Sequence, residues 1–215
     1  MILVFDTSGA ELHIGIANAA GELVAEYYGT ASAGERGIHD AQLANETKNL
    51  LLAQKLTSKA LTRLGLIIGP GSFTGLRIGL SFAKGLALAN PDLSVFPFSS
   101  HRVMHEKIRD RTDYLSGAIV TPGYQKDLVY VSATNHPEDI QIESITEFLR
   151  TPVAEIFAPQ VLVPRFESEA LVVHPTEISL QGLARLTATD GLGLMGQALN
   201  DLEPRYVTDF VPGKV

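Results

Sequence analysis

The spacing of hydrophobic positions changes several times along the chain, and each change predicts an element. Ile2–Asp6 is a short apolar run that ends in "DTSGAE", a turn signal. Leu12, Ile14 and Ile16 alternate with His13, Gly15 and Ala17, which is the period of a strand, and "NAAGE" turns the chain into a third strand over Leu23–Tyr28. Three short strands joined by tight turns predict an antiparallel meander. After the loop "ASAGERG" the period lengthens: Leu43, Thr47, Leu50 and Leu51 share one face of a helix from Ile38 to about Lys55. Leu64–Ile68 reads as a buried strand, a glycine-rich loop follows, and a second helix runs to about Asn90, where "NPD" stops it. Leu93–Phe98 is the next strand, and Ser99 or Ser100 caps a helix through Met104 to about Ile108.

Beyond that helix the pattern is less regular. Leu115–Thr121 and Leu128–Ala133 read as strands around "PGYQKD", and the short apolar runs "AEIF", "QVLVP" and "LVVHP" follow in a proline-dotted stretch. Ile178–Thr187 predicts a helix and "GLGLMGQALNDL" a further one. The sequence shows no internal repeat and no low-complexity segment. The change in character places a domain boundary at 104/105: residues 1–104 form one lobe, and 105–215 a second lobe whose C-terminal segment packs back on the first.

Composition narrows the function classes. The chain has 215 residues, 45% hydrophobic and 19% charged, as expected of a compact globular protein. A formal net charge of −7, with no long Lys/Arg run, argues against a large nucleic-acid contact made by this chain alone. There is no cysteine, which excludes disulfides, thiolate metal sites and a cysteine nucleophile. The N-terminus lacks the basic start and apolar run of a signal peptide, and no stretch approaches the roughly 18 apolar residues of a membrane span. The expectation is a soluble, cytoplasmic protein.

The candidate chemistry lies in "IIGPGSFTGLRIGLSFAKGLALA". Gly69 and Gly71 begin a dinucleotide fingerprint, but Thr74 stands where its third glycine is required, and no Gly-Lys-Ser/Thr completes a P-loop. What survives is a sharp turn at Pro70 and Gly71, with Ser72 or Thr74 capping the next helix; such a start attracts an anion, or is a turn and nothing more. In the helix itself Gly75, Gly79 and Ala83 recur every fourth residue and leave one face nearly bare. An interior glycine costs a helix about 1 kcal/mol relative to alanine, so the stripe implies close approach by another backbone. Leu76 and Leu80 form one ridge beside it, and Ile78, Phe82 and Leu86 a second. That is more apolar surface than one sheet covers.

These residues carry a resemblance. "GPGSFTGLRIGLSFAKGLA" resembles the signature of the TsaB (YeaZ) family, the non-catalytic partner in bacterial synthesis of threonylcarbamoyladenosine on tRNA. "ILVFDTS", His39 followed by Leu43, and "EPRYVTDF" add to it. The order β-β-β-α-β-α-β-α is likewise that of a half-domain in the actin, Hsp70 and sugar-kinase superfamily. The resemblance implies a two-lobed, actin-like (ribonuclease H-like) α/β fold with a smaller, divergent second lobe. It further implies a scaffold subunit without a catalytic centre or cofactor of its own. Such a subunit pairs with a TsaD-like catalytic subunit or with itself, supports docking of a TsaE-like ATPase, and meets tRNA only indirectly; ATP and magnesium enter only in the complex. Carried onto this chain, the partner surface comprises His39, Leu43, Thr47, Leu50, Gly75, Leu76, Gly79, Leu80 and Ala83.

Asp6 and Thr7, with Gly69, Gly71, Ser72 and Thr74 expected opposite, make a candidate weak anion or nucleotide site. The plainer reading of Asp6 is a side chain satisfying its own turn. The metal-binding His-x-x-x-His of the catalytic relatives is missing, because Leu43 stands four residues after His39. His101 and His105 have i,i+4 spacing without a glutamate between them, and read as polar residues on an exposed helix face. The segment "TPGYQKDLVY" keeps Tyr130 but departs from the Asp-Ala-Arg of the family, so the second lobe is divergent. Two other classes compete with the scaffold: an actin-like ATPase sensitive to Asp6 or a peptidase, and a homodimer serving some other client.

Overall fold

The computed structural model describes residues 1–30, 38–109, 117–166 and 171–207, with the side chains of 38–41 outside the description. The chain forms two compact units. Unit 1 comprises Met1–Phe98 and Leu180–Pro204; unit 2 comprises Ser99–Ser179 and the chain from Arg205.

Unit 1 is built on the predicted meander. β1 (Ile2–Asp6) pairs antiparallel with β2 (Leu12–Ala17), from Ile2 opposite Ala17 to Asp6 opposite His13, and β2 pairs with β3 (Leu23–Gly29). The β2–β3 turn is held by Asn18, whose Oδ1 accepts from the backbone N–H groups of Ala20 (2.9 Å) and Glu22 (3.0 Å). Helix α1 (Ile38–Ala53) then carries the chain to β4 (Arg63–Gly69), which lies parallel to β1. Helix α2 (Phe73–Ala89) leads to β5 (Ser94–Ser99), completing the order β3-β2-β1-β4-β5 with β1 at the centre.

Alternate residues of a strand face opposite sides, so β1 shows what covers each. Phe5 meets Phe82 of α2 edge-on, with centroids 5.7 Å apart. Val4 and Gly15 face Leu180 of α5 (Leu180–Thr189). Helices α1 and α2 therefore lie over one face and α5 over the other. The core under α1 and α2 gathers Leu3, Phe5, Ile14, Ile16, Leu43, Leu64, Leu66 and Leu80. Gly65 lets α5 come close, since a Cβ there would meet the Thr187 hydroxyl at 1.9 Å.

Unit 2 has its own sheet and core. α3 (Ser100–Ile108) starts at Ser99, whose hydroxyl accepts from Arg102 N–H at 3.0 Å. β6 (Ala118–Pro122), β7 (Leu128–Ala133) and β8 (Gln141–Ser144) form a second antiparallel meander. A one-turn helix α4 (Ile145–Phe148) follows, then β9 (Glu155–Ala158) parallel to β6 and β10 (Val172–Pro175) parallel to β9. Read from β8, the order β8-β7-β6-β9-β10 matches β3-β2-β1-β4-β5. The topology is repeated although the sequence is not.

The structure differs from the sequence reading in three places. The units divide at Phe98/Ser99 and not at 104/105, because Met104 and Ile108 of α3 pack on Ile119 and Phe157 of the second sheet. The segment "GLGLMGQALNDL" is helical only over α6 (Gly196–Asn200); ahead of it Leu194 pairs with Val95, and a Cβ at Gly193 would stand 2.6 Å from the Phe96 ring. Strand β8 and helix α4 have no counterpart in the predicted elements. The predicted start of β6 at Leu115 lies outside the described residues.

Candidate functional site

The turn after β1 and the glycine loop after β4 meet. Asp6 Oδ1 accepts the Ser8 backbone N–H at 2.7 Å, the local turn contact expected of an aspartate in that position. Ser8 O in turn accepts Ser72 N–H at 2.7 Å, and a Cβ on Gly71 would stand 2.6 Å from that same oxygen. Ser72 caps α2, its hydroxyl accepting from Gly75 N–H at 3.2 Å. Asp6, Thr7, Gly71 and Ser72 are thus brought together. Thr74 is exposed on the first turn of the helix. The two loops are joined through the backbone of Ser8 and Ser72; Asp6 and Thr7 are buried, and the Thr7 hydroxyl has no hydrogen-bond partner among the described residues. Chemically, the arrangement is a lock that seats the start of α2 on the end of β1.

The bare stripe of α2 completes that lock. A Cβ on Gly75 would stand 1.9 Å from Thr7 O, and one on Gly79 would stand 2.5 Å from the Thr7 hydroxyl and 3.1 Å from the Phe5 ring. Gly75, Leu76, Gly79, Leu80 and Ala83 are all buried within unit 1. The backbone that the stripe admits is therefore the protein's own, which corrects the assignment of these five residues to a partner surface. Leu43 and Thr47 of α1 are buried as well, Leu50 is half-buried, and the side chain of His39 lies outside the described residues. The outward face of α2 carries Phe73, Arg77, Ser81, Gly85 and Leu88. Arg77 folds back over the Phe73 ring at 3.9 Å, Gly85 has no atom within 4 Å of a Cβ position, and Leu88 is 78% exposed.

His101 was expected on an exposed face, and the structure places it wholly inside unit 2. Its Nδ1 lies 2.7 Å from Ser132 Oγ and its Nε2 2.9 Å from Thr121 Oγ1, so both ring nitrogens are occupied by hydroxyls. Burial first, and the charge of Arg205 second, hold its pKa down to about 3, so the ring is neutral. The signal was present in the sequence: His101, Met104 and Ile108 share one face of α3 at i, i+3, i+7 spacing. His105, one turn on, is half-buried near Arg102, Glu106 and Arg109, and burial first lowers its pKa. Among the described residues no group of three His, Cys, Asp or Glu side chains could hold a metal. Tyr130 is buried in β7, and desolvation raises its pKa. No described helix is long and apolar enough to cross a membrane.

Comparison with known proteins covers both units. Residues 22–116, from the start of β3 past α3, match the family model of TsaD, tRNA N6-adenosine threonylcarbamoyltransferase. No curated protein matches the chain in sequence. Among solved structures, an uncharacterized protein with similarity to peptidase YeaZ, from Pseudomonas aeruginosa, superposes with a TM-score of 0.72 at 19% identity, covering 96% of this chain and 99% of that one. YeaZ from Pseudomonas aeruginosa gives 0.70 at 19% identity, covering 95% of this chain and 98% of its own. The chain therefore has the fold of the YeaZ structures, and its TsaD-type segment spans β3, α1, β4, α2, β5 and α3.

Proposed function

We propose that the protein is a scaffold subunit, without a catalytic centre of its own, of the cytoplasmic complex that makes threonylcarbamoyladenosine at position 37 of tRNAs reading ANN codons. In this reading it pairs with a TsaD-like catalytic subunit, supports docking of a TsaE-like ATPase, and meets tRNA only through them. ATP and magnesium belong to the assembled complex. The TsaD-type match over residues 22–116 and the YeaZ-like fold support the assignment.

The observation that carries it is the outward face of α2. Leu88 is exposed beside the open Gly85, and the half-buried Ile78, Phe82 and Leu86 flank them. On α1, Leu52 is 60% exposed. An apolar ledge interrupted by a bare glycine suits a second helix laid close against it. The partner surface so proposed is the face opposite the buried stripe.

Co-expression with a TsaD-like subunit tests this. A stable complex at micromolar concentration is expected, lost in Gly85→Trp and kept in Asp6→Asn. No complex with the unaltered chain, or a complex indifferent to Gly85→Trp, would sink the proposal. Size-exclusion chromatography of the chain alone reads whether a homodimer uses the same face. The contact between the Asp6 turn and the glycine loop favours one second reading, an actin-like ATPase. Isothermal titration with ATP and magnesium giving no heat would remove it.

A further inference from the structure

One segment of unit 1 is used neither by the scaffold reading nor by the lock between β1 and α2. It leads from the end of α5 to the bridge with β5, and it holds Asp190 followed by Gly191. That is the one Asp-Gly step in the sequence, which has no Asn-Gly. In such a step the carboxyl group can turn on the next peptide nitrogen, because glycine puts no side chain in its way.

Whether a folded chain permits this depends on the surroundings, and here the step is left open. Both residues are exposed, and nothing lies within 4 Å of a Cβ position on Gly191. Asp190 N–H still bonds Leu186 O at 2.9 Å, but Gly191 N–H donates to no acceptor among the described residues. The Asp190 side chain bends forward along the chain, its Oδ1 accepting Leu192 N–H at 3.3 Å. A carboxyl group that reaches the second amide ahead lies beside the first, which is the Gly191 nitrogen.

The chemistry needs only water. Gly191 N bonds to Asp190 Cγ, and the protonated carboxyl group loses its hydroxyl with the amide proton as water, closing a succinimide. Water then reopens the ring. Attack at Cγ restores aspartate; attack at the main-chain carbonyl carbon of Asp190 leaves the backbone running through Cβ and Cγ, which is isoaspartate. Nothing is oxidised or reduced, and the product is an isomer of the starting chain. The carboxylate freed in that second route is the former Asp190 carbonyl, whose oxygen already accepts from Arg63 Nη2, so the new charge forms on a guanidinium.

We propose that Asp190 converts spontaneously to isoaspartate in the folded protein, and that the product releases the following segment from the sheet. Two anchors flank the step. Behind it, Arg63 Nε donates to Thr187 O at 2.6 Å. Ahead of it, Leu194 and Val95 exchange backbone hydrogen bonds of 2.7 and 3.0 Å. Isoaspartate adds a backbone carbon between these anchors, so Leu194 no longer meets Val95 in register. The inference holds whatever the protein assembles with.

Storage of the full chain for weeks at neutral pH and physiological temperature is the test, with a synthetic peptide of residues 187–194 stored alongside as the reference without a fold. Isoaspartate is read in the tryptic peptide 186–205 by chromatography and fragmentation. It is expected at Asp190, at a rate within about five-fold of the free peptide. Gly191→Ala enters open space at a φ outside the left-handed region, so the melt should not fall, while formation slows about ten-fold. Asp190→Asn should reach the same product faster, losing ammonia in place of water. Hydrogen exchange at the Val95 and Leu194 amides should quicken in proportion to the isoaspartate fraction, and stay unchanged in stored Gly191→Ala. A folded chain slower than that five-fold range, isoaspartate only at other positions, or an unslowed Gly191→Ala would overturn the site. Unchanged exchange at Val95 and Leu194 in the isomerised chain would overturn the release.

Discussion

Three glycines of one helix meet three different surroundings, and alanine at each measures how tightly α2 is pressed on β1. The substitution carries the same helix-propensity gain at each position, about 1 kcal/mol in favour of alanine. At Gly85 nothing lies within 4 Å of the new methyl, so Gly85→Ala is expected to stabilise by about that amount. At Gly79 the methyl would stand 2.5 Å from the Thr7 hydroxyl and 3.1 Å from Phe5, both side chains with room to adjust only at a cost. Overpacking of about 1–2 kcal/mol offsets the propensity gain there, leaving Gly79→Ala neutral to slightly destabilising. At Gly75 the methyl would stand 1.9 Å from Thr7 O, a backbone atom that moves only if the strand end or the helix start moves with it. The penalty reaches the upper end of overpacking, roughly 3 kcal/mol, for a net loss of about 2 kcal/mol. Urea denaturation followed by far-UV circular dichroism should therefore rank Gly85→Ala above the unaltered chain and Gly75→Ala far below it. The first and last should be separated by about 3 kcal/mol at equal m-values. Three variants that shift together, or a stabilising Gly75→Ala, would refute the claim that the bare stripe is filled by the turn after β1.

Acid should weaken unit 2 through His101. Its folded pKa of about 3 lies below the unfolded value of 6.5, so the unfolded chain takes up the proton first; the stability is complete above pH 6.5 and declines as pH falls toward 3. Between pH 7 and pH 5 this amounts to about 2 kcal/mol, and His101→Gln should flatten the pH slope of the urea midpoint by that amount; an unchanged slope would remove His101 as its source. Arg63 joins three elements, donating from Nε to Thr187 O at 2.6 Å and from Nη2 to Asp190 O at the end of α5, and stacking 4.1 Å over Phe96. Arg63→Ala should cost about 2 kcal/mol and speed hydrogen exchange at the last turn of α5, and Arg63→Lys should recover only part, since an ammonium lacks the planar fork. Full recovery by lysine would mean that charge alone matters there.

The first sheet was legible because its signals are local. Leu12, Ile14 and Ile16 declare a strand by period, "NAAGE" declares the turn, and Ser99 or Ser100 declares a cap; each element appears within a residue or two of its predicted bounds. The second sheet is built from four- to six-residue strands, and β8 and β10 are edge strands without full burial, so neither shows a clean apolar alternation. His101 and His105 show the limit of a spacing argument. Spacing suggested one polar face, but His101 lies on the side of α3 that Met104 and Ile108 bury, and its neutral ring is stable there only because Ser132 and Thr121 supply partners from distant strands. No local pattern announces those partners.

The glycine stripe shows why a correct motif can still point at the wrong surface. Periodicity establishes that something approaches α2 closely along Gly75, Gly79 and Ala83; it does not say whether that neighbour belongs to the same chain. Topology does. A parallel β4 beside β1 forces the helix that follows β4 to start next to the end of β1, and the residues there are Asp6, Thr7 and Ser8. The signature therefore separates into two sets along one helix. Residues at 75, 76, 79, 80 and 83 are explained by the fold of unit 1 and would be needed whatever the protein does. Residues at 77, 81, 85 and 88 face outward and are not required by that packing. Any evidence for a partner must come from the second set. That is why Gly85→Trp, which meets open space in the chain itself, discriminates between a scaffold and a self-contained fold, whereas Gly79→Trp would report only that the core had been broken.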